Sequence, residues 1–85
     1  MSHAIFEDWE DYENLKKKGE DINLFSCNEK WEVRYLREKI KKHFPNLPAK
    51  DIKDAIEYCC QTASPPYPRK LFVKYVMGRF GIKIN

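Results

Sequence analysis

The stretch WEVRYLREKIKKHF, residues 31–44, decides how this chain folds. Val33, Leu36, Ile40 and Phe44 recur at spacings of three and four residues, the mark of a helix with one apolar face. At about 100° per residue they lie within an arc of about 80°. Trp31, Tyr35, Lys39 and Lys42 share a second arc of about 80° on the far side. A helix with apolar groups on two sides is expected to be packed on two sides. We expect a fourth helix to take the aliphatic stripe and Trp9 and Tyr12 of a first helix to take the aromatic pair. The competing reading makes Trp31 and Tyr35, set among lysines and arginines, a stacking platform for nucleic acid.

Upstream, Ser26 followed three residues later by Glu29 reads as a capping box, so the helix is expected to run from about Cys27 to His43. Pro45 ends it, because proline excludes helical geometry from the residue before it. The segment before the cap, AIFEDWEDYENLKKKG, reads as a helix near residues 4–18 with acids at its front, lysines at its back and Gly19 as its stop. Downstream, PAKDIKDAIEYCCQTA reads as a third helix near 48–62, with Ile52, Ala55, Ile56, Cys59 and Ala63 as its stripe. The prolines of SPPYP (64–68) demand an extended connection. A fourth helix is expected from about Pro68 to Phe80, stopped by Gly81 and apolar around most of its circumference. A C-terminal β-hairpin with GIKI is the alternative there, since KLFVKYVM also has strand propensity. The expected architecture is all-α: one compact four-helix domain over residues 1–85, with helix four at its centre and helices two and three as a helix-turn-helix-like pair.

Eighty-five residues, 42% apolar and 34% charged, suit one globular domain with a modest core. No apolar run exceeds three residues, so no membrane span is expected. The acidic start has no apolar core of a secretory signal, and a cytoplasmic, reducing location is expected by default. Three cysteines, two of them adjacent (Cys59, Cys60), show no disulfide framework. Adjacent helical side chains diverge by about 100°, so Cys59 and Cys60 are not expected to bridge each other. Charge is unevenly spread. Residues 1–30 carry eight acids against four bases, a net charge of −4. Residues 31–85 carry twelve bases against five acids, a net charge of +7. Such a body attracts an anionic partner, or the acidic leader folds over it.

Ile22, Leu24, Glu32, Val33, Arg34 and Tyr35 make the run resemble a family of short uncharacterised bacterial proteins. Their segment reads roughly Ile-x-Leu, then Glu-Val-Arg-Tyr-Trp, then a turn and a second helix. The resemblance covers about residues 22–60, with Leu36 where the family tends to have tryptophan. It implies a small helical fold and no particular activity.

Motifs for chemistry are sparse. A metal site from Cys27, His43, Cys59 and Cys60 lacks ligand spacing. There is no glycine-rich phosphate loop, and no arrangement of nucleophile and base can be argued from two histidines, His3 and His43. Neither cofactor nor small-molecule substrate is expected, and the protein is read as no enzyme. PPYPRK (65–70) matches a proline-rich ligand pattern, but the pattern is short and common, and its prolines are better read as stiffening the connection between helices three and four. As a recognition helix, helix three is weakened by Asp51, Asp54 and Glu57 on its outward face. The cations lie instead on helix two (Arg34, Arg37, Lys39, Lys41, Lys42) and around helix four (Arg69, Lys70, Lys74, Arg79). The expected role is a small protein-interaction module, with a protein partner or a second copy as its target. The alternative is a nucleic-acid-associated protein that grips the phosphate backbone through those basic faces.

Overall fold

The computed structural model describes residues 4–16 and 22–82. A 3-10 turn at Ala4–Phe6 leads into helix α1 (Glu10–Leu15). Strand β1 (Leu24–Phe25) precedes helix α2 (Lys30–His43), and helix α3 (Ala49–Thr62) follows. Strand β2 (Tyr67–Pro68) leads into helix α4 (Arg69–Gly78). The fold is therefore mostly helical, with one small antiparallel strand pair. That pair is not the C-terminal hairpin weighed above. It joins Leu24 to Pro68 and Phe25 to Tyr67 across the chain, and GIKI extends beyond residue 82 into residues outside those described. Among the described residues no helix is long and apolar enough to cross a membrane.

Helices α1, α2 and α4 depart from their expected bounds, each for a local reason. The first is shorter than residues 4–18. Asp8 takes a left-handed backbone (φ 63°), which aspartate tolerates better than most residues, and this turns the chain between the 3-10 turn and α1. The stop expected at Gly19 lies outside the described residues. Helix α2 begins at Lys30, after Glu29 as its cap, so the Ser26–Glu29 box does not form. The Ser26 N–H instead donates to the Glu32 carboxylate at 2.9 Å. Helix α4 ends at Gly78 and unwinds through a turn to Gly81, whose φ of 72° suits glycine.

The core runs through every element. Ile5, Trp9 and Tyr12 come from the leader, Leu36 and Ile40 from α2, Ile52, Ile56 and Cys59 from α3, and Phe72, Val73, Val76 and Met77 from α4. Helix α3 touches both α2 and α4, so α3 rather than α4 is the middle helix. The physical reason is visible on α4 itself. Leu71 and Tyr75 stay 60% and 64% exposed, which leaves α4 only one packed face. The aliphatic stripe of α2 accordingly packs mainly toward α3. The aromatic side of α2 meets the leader as the periodicity required. Tyr35 lies 5.3 Å from Trp9, and Trp31 lies 5.3 Å from Tyr12.

Two ties close the other end. Phe25 stacks on Phe72 at 4.7 Å, and Tyr67 meets the Phe72 edge. The Tyr67 hydroxyl donates to the Cys60 and Ala63 carbonyls, capping the end of α3. Cys27 and Cys60 form a disulfide with Cα atoms 5.9 Å apart. This corrects the expectation of no bridged cysteines. Adjacency excludes only the Cys59–Cys60 pairing, and Cys59 is indeed a free, buried thiol. The partner of Cys60 is instead 33 residues away in sequence, brought near by strand pairing and by the α2–α3 contact.

Candidate polyanion-binding groove

The nine predicted surface cations divide into three groups. Lys39 and Arg69 are buried, at 7% and 8% exposure, and serve the fold. The Lys39 ammonium donates to the Asp8 carbonyl at 2.7 Å and lies 5.7 Å from the Trp9 ring centre. Burial leads in holding its pKa below the ordinary lysine value, with Lys42 adding to the effect and the Asp8 carboxylate opposing it. The Arg69 guanidinium lies over both Trp9 (5.0 Å) and Tyr12 (5.5 Å). It donates to the Ile22 carbonyl and pairs with Glu13 at 3.4 Å. The acidic leader therefore covers these two cations, largely through backbone carbonyls and rings.

A second group lies on or beside α4. Lys70, Lys74 and Arg79 are exposed. Arg79 is spread over the Tyr58 ring at 3.9 Å, a cation–π contact that joins the end of α4 to α3. Trp31 and Tyr35 are half-buried and their rings are engaged with Trp9 and Tyr12. Burial, then the Asp11 charge, pushes the Tyr35 hydroxyl's pKa up. A stacking platform is thus filled from within.

The third group forms a surface. Arg34 and Arg37 stand in the groove between α2 and α3, lining a hollow of about 490 Å³ that also takes in Lys30, Lys53, Val33 and Ile56. The two arginines also border a smaller hollow of about 190 Å³ with Lys41 and Glu38. Lys30, Arg34, Arg37 and Lys41 fall at i, i+4, i+7 and i+11. That spacing places them within about 60° of one another around the helix and spreads them over about 16 Å of its length. Among the described residues, Lys30, Arg34, Arg37 and Lys53 make no side-chain hydrogen bond or ion pair. Lys41 donates to the Pro45 and Leu47 carbonyls at 2.9 and 2.7 Å and so also holds the α2–α3 turn. Lys42 is exposed beside the stripe. Acids border the surface, with Glu57 in the larger hollow and Glu38 in the smaller.

The sequence reading missed two parts of this groove and one buried charge behind it. Lys30 and Lys53 belong to the groove, and the spacing Lys30–Arg34–Arg37–Lys41 signals the first of them. The Cys27–Cys60 disulfide lies at one end of the larger hollow, and no sequence signal marks it. Glu32 is the buried charge. It is fully buried yet accepts from the Tyr12 hydroxyl and the Ser26 N–H, and it pairs with Lys16 at 3.0 Å. The proline-rich PPYPRK is no free ligand: Tyr67 and Pro68 pair with β1 as strand β2, and Arg69 is buried. Among the described residues no cluster of three metal-ligating side chains occurs.

The chain is similar to no protein-family model, no curated protein and no solved structure at a significant level.

Proposed function

We propose that the protein is a small non-enzymatic binding module that grips a phosphate backbone in the α2–α3 groove. The observation that carries this reading is the stripe Lys30, Arg34, Arg37 and Lys41, faced by Lys53, in which four of the five cations have no partner within the described chain. Cations held on one face and left unpaired are what a polyanion needs. The contacts would go to phosphates and carry little sequence information. Duplex nucleic acid is favoured over single strands, because the nearby rings of Trp31 and Tyr35 are occupied and offer no stacking surface.

Anisotropy titrations of a labelled duplex at several salt concentrations test this. Five phosphate contacts give a slope of log K against log salt of about −4.5 on duplex and about −3.5 on single strands. Arg34→Ala with Arg37→Ala should reduce the slope by about 2. These two are preferred to Lys41, whose loss also frees the turn carbonyls. A salt-insensitive interaction, or a double variant that binds as well as the parent, sinks the reading.

One observation favours the second reading, a protein-interaction role. Leu71 and Tyr75 project from α4 beside an open cleft that includes Pro66 and Tyr67, an apolar surface of the type partners cover. Concentration-dependent association abolished by Leu71→Ser with Tyr75→Ser, and unchanged by the two arginine substitutions, would select it.

A further inference from the structure

The Cys27–Cys60 disulfide ties the fold and is also open to the groove. Both cysteines are only partly buried, and both line the larger hollow of the groove. The same hollow presents Lys30, Arg34, Arg37 and Lys53, the unpaired cations described above. Thiol–disulfide exchange needs three things: an accessible sulfur, a route for the attacking thiolate, and relief of charge on the sulfur that leaves. The hollow supplies the first two. Its cations supply the third, since positive neighbours stabilise a thiolate. Cys59, next in the chain, has none of these properties: it is 2% exposed, and burial pushes its thiol pKa up, with Arg79 only partly opposing.

We propose that Cys27–Cys60 is a thiol–disulfide exchange site that selects anionic low-molecular-weight thiols, with the groove's arginines and lysines binding their carboxylates. The thiolate of such a molecule attacks one sulfur of the pair. The Cys27–Cys60 bond breaks, a mixed disulfide forms, and the other cysteine leaves as a thiolate. A second thiol of the same class then attacks the mixed disulfide, releasing the small-molecule disulfide. The protein ends as a dithiol, reduced by two electrons, and two small thiols end oxidised to one disulfide. The inference uses the groove's charge but not its proposed nucleic-acid ligand. Exchange is read as a covalent adduct, whereas nucleic-acid binding is read by anisotropy, so either can fail alone.

The test is a comparison of rates on the oxidised, folded protein. Glutathione serves as the anionic thiol and 2-mercaptoethanol as the neutral one, each corrected to equal thiolate concentration and intrinsic reactivity against a small-molecule disulfide. Adduct formation is followed by intact mass and located by peptide mapping. At low salt, glutathione should react about tenfold faster than its neutral counterpart, an advantage of the size that charge steering gives. Raised salt should erase the advantage. Arg34→Gln with Arg37→Gln should erase most of it too, slowing glutathione far more than 2-mercaptoethanol, while leaving the circular dichroism unchanged. Equal corrected rates for the two thiols would overturn the proposal. So would adducts confined to Cys59, or a disulfide that reacts only after denaturant is added.

Discussion

At the scale of single residues, the most consequential side chain is a charged one in the interior. Glu32 has no exposed surface and survives there because Tyr12, Ser26 and Lys16 supply donors to its carboxylate. Removing one member of a buried, bonded charge pair strands the other. Glu32→Ala should therefore cost about 3–5 kcal/mol in urea unfolding, whereas Glu38→Ala, at an exposed position of the same helix, should stay within about 0.5 kcal/mol. The two tryptophans separate in the same way. Trp9 is 4% exposed and its indole N–H donates to the Ile5 carbonyl at 2.6 Å, so Trp9→Ala should cost about 3–5 kcal/mol. Trp31 is half-buried, and Trp31→Ala should cost measurably less. Tyr35 gives a pH signature. Its folded pKa is raised, mainly by burial, so the folded state keeps the proton longer than the unfolded chain. The stability this contributes is complete below the unfolded tyrosine value of about 10 and is lost as pH climbs through the folded value. The advantage of the parent over Tyr35→Phe should accordingly hold up to about pH 10 and shrink as pH rises further.

At the scale of elements, the amphipathic pattern of α2 organises its neighbours. One side meets the leader through rings and the other meets α3 through aliphatic groups, while the cationic stripe between those sides is left to solvent. The turn that folds α3 back is held by Lys41, a residue that the charge pattern alone assigns to a ligand surface. Lys41→Ala should lower stability by about 0.5–1.5 kcal/mol, the worth of ordinary hydrogen bonds, and differential scanning fluorimetry can compare it with Lys42→Ala, which should change little. Elements with strong periodicity, α2 and α3, were legible within a few residues. The first helix was not, because a single left-handed aspartate divides it. The strand pair was not, because two residues per strand have no periodicity to read.

At the scale of the whole molecule, the chain is closed by contacts between segments remote in sequence. The disulfide spans 33 residues, and a closed loop of that length stabilises by about 3–4 kcal/mol in the chain-entropy account. Reduction, or Cys27→Ser, should therefore lower the melting temperature markedly. The overall charge separation is also resolved at this scale. The leader lies over Lys39 and Arg69 through Asp8, Glu13 and the faces of Trp9 and Tyr12. Among the described residues, the α2–α3 groove takes only Cys27 and Lys30 from residues 1–30 and none of the leader's acids. Part of the +7 body is thus neutralised internally and part remains available.

By itself the sequence determined the helical class, the bounds of α3 and the end of α2, and the meeting of Trp31 and Tyr35 with Trp9 and Tyr12. These follow from periodicity and from prolines, which act within a few residues of chain. Tertiary structure alone decided which cations are buried, which cysteines meet, and that Glu32 lies in the interior. Arg69 and Arg34 are chemically identical in the sequence. One is stacked on two rings from the leader and the other stands in an open groove, because burial and pairing depend on segments tens of residues away.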